Sequence, residues 1–180
     1  LRYGENPHQD GWFSGNLEDV FKQLHGKQIS YNNLLDIDSA IMLMEDFKDA
    51  IPTFAILKHN NACGFASRPN LLEAYSSALE ADPISAFGGV LISNKEIDLQ
   101  TATLINNLFC EVVIAPSFDL EALEILKSKK NRIILKQNNT IFPDKIVRSC
   151  LNGTLVQKRD SLVESIDSFE IKTNHRPTSK

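Results

Sequence analysis

Apolar residues are distributed along this chain in two patterns. Four segments carry them three or four positions apart, the spacing of an amphipathic helix; these are residues 33–48, 70–80, 96–109 and 120–127. Between them lie short apolar runs typical of buried strands, at residues 53–58, 87–93, 111–115 and 132–135. Strands that alternate with helices predict an α/β fold in which helices pack on a largely parallel sheet.

The pattern changes after Lys136. Two short alternating runs, residues 146–150 and 154–157, flank Asn152-Gly153, a pair typical of a two-residue hairpin turn. The sequence therefore predicts a β-hairpin that follows the α/β region.

The two ends of the chain lack clear periodicity. The first thirty residues are rich in polar residues and glycine and predict loops, with a short helix around residues 17–24. Apolar content falls from Asp160 onward. We expect one domain or lobe over residues 1–172 and a tail or linker over residues 173–180.

Composition narrows the possible functions. The chain has 180 residues, of which 42% are hydrophobic, and a formal net charge of −4. This hydrophobic fraction supports a packed core, and the absence of extensive positive charge argues against a nucleic-acid partner. The one basic cluster contains Lys127, Lys129, Lys130 and Arg132. It follows a predicted helix, where cations complement the helix dipole, and we favour that interpretation over a binding patch.

Cysteine content and hydropathy bear on the cellular setting. Cys63, Cys110 and Cys150 form no CxxC pair, so the sequence predicts neither a disulfide framework nor a zinc knuckle. A reducing, cytoplasmic setting fits best. Because no apolar run has transmembrane length and no signal peptide is evident, we expect no membrane partner. The chain begins with Leu1 instead of Met, which suggests a piece of a longer protein.

The clearest candidate chemistry lies at Lys58 and His59, where the predicted strand at residues 53–58 ends. Ligands of open α/β sheets bind outside the carboxyl ends of the strands. Histidine exchanges a proton near neutral pH, and a lysine charge can stabilise a developing oxyanion. The two residues are therefore a candidate catalytic pair. The alternative is a surface lysine beside a histidine that caps the strand end.

Three further segments carry residues that a plain core does not need. Arg2-Tyr3-Gly4 offers a guanidinium for a phosphate and a ring for stacking, although it also suits a solvated loop. Asn33 either caps the helix that follows it or presents its amide to a ligand. Phe87-Gly88-Gly89 combines a stacking face with close backbone approach, and its alternative is a tight turn before a strand.

Together and in this order, the segments resemble those of one family. Six stretches match the family's LRYGENPHQ, SYNNLLD, KHxNxCG, DPxSAFGG, EVVIAP and GGxLVQxRD patterns: residues 1–9, 30–36, 58–64, 82–89, 111–116 and 153–160. The chain is thus similar, over nearly its whole length, to the transformylase domain of the bifunctional purine-biosynthesis enzymes, AICAR transformylase/IMP cyclohydrolase. It departs at Asn61-Ala62, where many relatives have Asn-Pro, and at Asn152-Gly153, where they have Gly-Gly. Neither departure removes a candidate side chain.

The resemblance implies a fold and a reaction. The fold would be a cytidine-deaminase-like three-layer αβα lobe with a mostly parallel sheet. This lobe would be the first half of the transformylase domain, preceded by the cyclohydrolase domain and followed by a second lobe. The family transfers a formyl group from the co-substrate 10-formyltetrahydrofolate to the 5-amino group of the nucleotide AICAR in IMP biosynthesis. The expected partners are AICAR, folate and a second copy in a homodimer, and no metal is expected.

The resemblance also implies roles for single residues. His59 would be the base that deprotonates the amine, and Lys58 would stabilise the oxyanion. Arg2 and Tyr3 would hold the nucleotide, and Asn33 would contact its carboxamide. The loop over the substrate and an acidic position near the site would be supplied by Phe87, Gly88 and Glu111. Cys63 lies within a matched segment, but the transfer needs no thiol nucleophile, and we expect a small buried residue there.

Two other functions compete with this one. A zinc deaminase needs His-x-Glu and Pro-Cys-x-x-Cys, whereas Asn60 and Asn61 follow His59 and no Pro-Cys-x-x-Cys is present. A non-catalytic fragment or dimerisation lobe that binds nucleotide without turnover stays open. Family active sites form between subunits, and the second lobe contributes residues to them.

Overall fold

The chain forms two compact units in a computed structural model. The structure describes residues 1, 3–139, 142–160, 162, 165, 168–176 and 178. The first unit is Leu1–Thr140 and the second is Ile141–Lys180. Each unit is built around its own β-sheet, one with six strands and one with two.

The first unit is an α/β lobe, as the sequence predicts. Its six-stranded sheet has the order β1-β6-β5-β4-β2-β3. In chain order the elements are β1 Phe21–His25, α1 Tyr31–Glu45, β2 Thr53–Lys58, β3 Asn61–Ser67, α2 Leu71–Ala81, β4 Val90–Ser93, α3 Leu99–Asn107, β5 Val112–Ala115, α4 Leu120–Lys127 and β6 Ile133–Gln137.

Strand direction divides this sheet into a parallel centre and antiparallel edges. The strands β4, β5 and β6 are mutually parallel. The strand β2 runs antiparallel to β4 and to β3, and β1 runs antiparallel to β6. Four of the six strands, β3 to β6, therefore point the same way, which confirms a mostly parallel sheet and adds two reversed strands to it.

Helices cover the sheet because its central strands are apolar on both sides. Alternate residues of a strand face opposite sides of the sheet. Phe54 and Ile56 of β2 belong to the core that includes α2, α3 and α4, and Phe54 meets the Tyr75 ring of α2 edge-on at 5.1 Å. The helix α1 buries a separate apolar stripe that includes Ile37 and Ile41. The arrangement is consistent with the expected three-layer αβα lobe.

Three sequence predictions in this unit were wrong in detail. Where a helix was expected around residues 17–24, a short 3-10 helix at Leu17–Asp19 precedes β1, because Phe21 and its neighbours pair with β6. The region after Lys58 was predicted without a strand, but β3 begins at Asn61. The helix expected over residues 96–109 is shorter, since Asp98 caps its first turn by accepting a hydrogen bond from Thr101 N.

The basic cluster proves to be partly internal. Arg132 is only 3% exposed. Its guanidinium donates to the Leu126 carbonyl at the end of α4, at 3.3 Å, and to the Leu108 carbonyl after α3, at 3.2 Å. Lys127 pairs with Glu124 at 2.9 Å. These contacts agree with cations that complement helix C-termini.

The second unit contains the predicted hairpin, but its turn lies at Leu151 and Asn152 instead of Asn152-Gly153, because Gly153 pairs with Cys150. The strands β7, Lys145–Cys150, and β8, Gly153–Lys158, are antiparallel. Every residue of both strands is exposed within this structure. Residues 173–176 and 178 of the expected tail lie outside helices and strands. In the described part of the chain, no helix has both the length and the apolarity needed to cross a membrane.

Candidate active site

The candidate pair lies at a tight turn between two strands. The last register pair of β2 and β3 joins Lys58 to Asn61, so His59 and Asn60 form a two-residue hairpin loop. Both have left-handed backbone conformations, with φ of 53° and 64°. Positive φ at both central positions is the signature of a type I′ turn. Residues other than glycine adopt it at a cost, and such strain concentrates at functional sites.

Contacts with neighbouring residues hold this turn in place. The Asn60 N–H donates to Asp36 Oδ1 of α1 at 2.7 Å. The Ser39 hydroxyl, one helical turn further along α1, lies 3.4 Å from Asn60 Oδ1. Within the turn, Asn61 Nδ2 donates to the His59 carbonyl at 3.0 Å. The turn is therefore bound to a helix that is packed on the sheet.

Lys58 connects the turn to the loop before β4. Its Nζ donates to the Phe87 carbonyl at 2.9 Å, and the lysine is half-buried. Gly88, which follows, has φ of 76°, and its N–H donates to the Phe109 carbonyl at 2.7 Å. The rings of Phe87 and Phe109 stand 4.9 Å apart and are 59% and 55% exposed. The loop thus presents two adjacent aromatic rings on the surface.

Asp82 fixes the start of this loop. The carboxylate accepts a hydrogen bond from Ser85 N at 2.9 Å. Hydrogen bonds from the Ser85 side chain and backbone lower the pKa of Asp82, and the Lys58 charge acts in the same direction. The loop therefore begins with an ionised capping residue.

Glu111 links the start of β5 to the first turn of α1. Its Oε2 accepts hydrogen bonds from Lys27 Nζ at 2.9 Å and from Asn33 Nδ2 at 3.0 Å. Ser30 is the cap of α1, and Asn33 closes a capping box with it. Asn33 is thus neither a plain cap nor a free amide: its oxygen serves the helix start and its nitrogen serves Glu111.

These side chains surround one cavity of about 520 Å³. The predicted site residues that line it are Tyr3, Asn33, Lys58, His59, Phe87, Gly88 and Glu111. Arg2, the remaining predicted residue, lies outside the described residues. Segments more than 100 residues apart in the chain therefore meet at one place. The wall also contains Lys27 and Asp36, which the sequence analysis did not single out. Asp36 belongs to the SYNNLLD-type segment and Lys27 lies three residues before it. Their proximity to a matched segment is the sequence signal that could have identified them.

The location of the cavity in the sheet differs from the expectation. His59 follows the carboxyl end of its own strand, as predicted. However, β2 is antiparallel to β4, and Leu57 pairs with Val90 at the beginning of β4. Glu111 precedes β5 at the same edge. The cavity therefore lies at the carboxyl end of β2 and at the amino ends of β4 and β5. The carboxyl-end rule for open α/β sheets holds at β2 but not at β4 or β5.

Cys63 is a packed residue near this site. Its Sγ donates to the Ile56 carbonyl at 3.4 Å, and burial raises the pKa of its thiol. A raised pKa lowers the thiolate fraction and makes the sulfur less reactive. Among the described residues, no group of three or more His, Cys, Asp or Glu side chains is placed to hold a metal ion.

Comparison with known proteins identifies the family. The model of the AICARFT/IMPCHase bienzyme family matches residues 1–180, so the chain belongs to this family. It is 57% identical over 178 residues to the bifunctional purine biosynthesis protein PurH of Bacteroides thetaiotaomicron, covering 99% of this chain and 35% of that protein. It is 43% identical over 193 residues to PurH of Caldicellulosiruptor saccharolyticus, covering 100% of this chain and 36% of that protein.

The matches concern one part of these relatives. The chain spans about a third of their length, 35% and 36% in the two comparisons. Membership of the family supports a role in purine biosynthesis.

Proposed function

We propose that this chain supplies the base and the oxyanion-stabilising group for formyl transfer from 10-formyltetrahydrofolate to the 5-amino group of AICAR. The observation that carries the proposal is the shared cavity. Lys58 and His59, held at a strained and anchored turn, line it together with Tyr3, Asn33 and Glu111.

The reaction needs these two side-chain types. The amine of AICAR is conjugated with its imidazole ring and carboxamide and is a poor nucleophile. As its nitrogen forms a bond to the formyl carbon, a base must take its proton, and His59 has that role. Negative charge develops on the formyl oxygen, where the Lys58 ammonium stabilises it. When the intermediate collapses, the bond from the formyl carbon to N10 of the folate breaks and that nitrogen gains a proton.

The other wall residues suit a planar polar nucleotide. The exposed Phe87 ring offers a stacking face, and Asn33 and Glu111 contribute amide and carboxylate groups to the wall of the same cavity. Tyr3, and Arg2 in the adjoining sequence, are the proposed nucleotide-holding residues. Homodimer formation, a cytoplasmic location and a cyclohydrolase activity in the same polypeptide belong to the proposal as properties of the longer protein.

The proposal is tested by replacing His59. We expect His59→Asn to reduce formyl transfer by about 10²- to 10⁴-fold, the usual contribution of a general base, with AICAR affinity changed less than about threefold. Asparagine tolerates positive φ, so this variant removes the imidazole and keeps the turn. His59→Ala is the comparison that also disfavours the turn. Transfer is followed with 10-formyltetrahydrofolate, and AICAR affinity by isothermal titration.

Three outcomes are distinguishable in this experiment. Loss of transfer with retained binding supports the role of His59. A His59→Asn variant with wild-type turnover contradicts it. If the chain itself binds AICAR but transfers no formyl group, it is the nucleotide-binding lobe that needs its second lobe.

A further inference from the structure

We infer that Asp36 is a positioning residue for His59. Its carboxylate holds the His59–Asn60 turn in the left-handed conformation and so keeps the imidazole at the cavity. This inference rests on the proposed function, because it concerns how the proposed base is held. It assigns Asp36 no contact with the reacting atoms.

The turn needs an external contribution to be stable. Type I′ turns favour Asn-Gly and related pairs because glycine accepts positive φ without steric cost. This turn has histidine and asparagine at those positions, with φ of 53° and 64°. Histidine and asparagine tolerate this region better than most residues but still pay a penalty. A conformation of this kind persists when its surroundings over-determine it.

Asp36 is well placed to hold the turn in this conformation. The hydrogen bond from Asn60 N–H to Asp36 Oδ1 is 2.7 Å long, the length of a charge-assisted bond. The adjacent residue Ile37 is 1% exposed, so the helix that carries Asp36 is fixed against the sheet. Ser39 adds a second contact to the Asn60 side chain at 3.4 Å. The carboxylate therefore acts on the residue next to the base, from a rigid element 24 positions earlier in the chain.

The position of Asp36 in the cavity wall allows an alternative, direct contact with substrate. The two roles have different consequences. Loss of a substrate contact weakens substrate binding, and no change in the turn repairs it. Loss of a positioning contact lowers turnover at saturation, and it is repaired by any change that restores the turn.

Rescue by glycine separates the two roles. We expect Asp36→Ala to lower kcat by about tenfold or more, since small misplacement of a catalytic group is costly, with KM for the nucleotide within about threefold. Asp36→Asn keeps an acceptor oxygen, and we expect it to lie within about threefold of wild type. In Asp36→Ala/Asn60→Gly, glycine favours positive φ without the carboxylate, so kcat should return to within about threefold of Asn60→Gly alone, as a double-mutant cycle measures. Asp38→Ala, on the exposed side of α1, is the matched control.

Amide hydrogen exchange in the chain, followed by ¹⁵N NMR, gives a readout independent of catalysis. We expect Asp36→Ala to accelerate exchange of the Asn60 amide by about tenfold or more, because the protecting bond is lost, while the Leu91 amide in β4 is unchanged.

If His59→Asn proves fully active, the proposed function fails and the exchange result still decides whether Asp36 holds the turn. Wild-type kcat and wild-type Asn60 exchange in Asp36→Ala would overturn the inference. Failure of Asn60→Gly to rescue would overturn it as well.

Discussion

The described part of the chain contains two β-hairpins with two-residue loops, and they differ in almost everything except that loop length. The β2–β3 hairpin turns at His59 and Asn60, and the β7–β8 hairpin turns at Leu151 and Asn152. Both turns contain a residue other than glycine at positive φ, including Leu151 at 51°. The first hairpin is part of the six-stranded sheet, whereas the second forms its own two-stranded sheet with every strand residue exposed.

The two hairpins differ most in the packing that supports them. An isolated two-stranded hairpin is marginally stable in water. In the first hairpin, residues 53–57 of β2 are buried, and its turn is hydrogen-bonded to Asp36. A strained loop that follows a buried, hydrogen-bonded strand holds its side chains at fixed positions. The second hairpin also has a two-residue loop, but all residues of its strands are exposed, so no buried strand supports that loop within its own unit.

The largest expected contrast between the hairpins concerns one glycine in each. A Cβ on Gly64 of β3 would stand 1.9 Å from the Ala78 carbonyl oxygen of α2, so strand or helix must move. A Cβ on Gly153 of β8 would meet Cys150 O at 3.9 Å, an ordinary contact. We expect Gly64→Ala to lower the free energy of unfolding by about 4 kcal/mol or more, the range of severe mutations, and Gly153→Ala to change it by about 0.5 kcal/mol or less.

Urea denaturation followed by far-UV circular dichroism measures this contrast. Failure of Gly64→Ala to fold agrees with the expected effect, provided that Gly153→Ala folds normally. A Gly64→Ala variant that unfolds at the wild-type urea concentration would show that the close packing of β3 on α2 is not required.

The second contrast concerns the lysines of the two hairpins. Lys58 contacts the loop before β4 through Phe87 O, and Lys158 ends the exposed strand β8. If Lys58 stabilises the formyl oxyanion, Lys58→Ala should lower kcat by about 10²- to 10³-fold, the effect of removing one such group. We expect Lys158→Ala to leave kcat unchanged. Steady-state formyl transfer measures both.

Equal activity of the two lysine variants would contradict the assigned role of Lys58. The charge would then have to come from another cation of the cavity, and Lys27 is the other lysine among the described residues that line it. A Lys27→Met variant examined beside Lys58→Ala would identify it by the larger loss of kcat.

The strands that the sequence predicted well are those buried on both faces. The strands β2, β4 and β5 are continuous apolar runs because helices cover both sides of them. The two edge strands were missed for the opposite reason. In β3, Asn61, Ala62, Cys63 and Gly64 supply little bulk, and in β1 polar residues follow Phe21. Apolar patterning does not detect an edge strand that is defined mainly by its backbone pairing.

Strand direction was the other missing information, and it decides which strand ends surround the cavity. A hairpin between β2 and β3 reverses the chain before α2, so β2 runs against β4. Nothing in a short apolar run specifies its direction, so the sequence did not show that the rule for carboxyl ends holds at β2 but not at β4 or β5. The matched segments still identified seven of the residues in the cavity wall. Lys27 and Asp36 were missed because their roles depend on partners 84 and 24 positions away.

The smallest expected contrast is chemical and uses one cysteine from each hairpin. Cys150 ends β7 and is exposed, while Cys63 in β3 is half-buried. Burial raises the pKa of Cys63, and only the thiolate reacts with a disulfide reagent. At any pH below that pKa, a smaller fraction of Cys63 is thiolate than would be the case for a thiol with an ordinary pKa. We expect Cys63 to be labelled about tenfold or more slowly than Cys150 at pH 8, with a rate that continues to rise at higher pH.

Cys110 adds a third thiol, with the slowest expected labelling, to this comparison. It is 2% exposed, and burial raises the pKa of its thiol to about 11, so its labelling should await unfolding. In a Cys150→Ser variant the fast phase should vanish and the two slower phases remain. Labelling of Cys63 as fast as that of Cys150 would mean that the first hairpin opens readily in solution. The turn that carries His59 would then be no better supported than the turn at Leu151. Packing of β2 would not hold His59 at a fixed position.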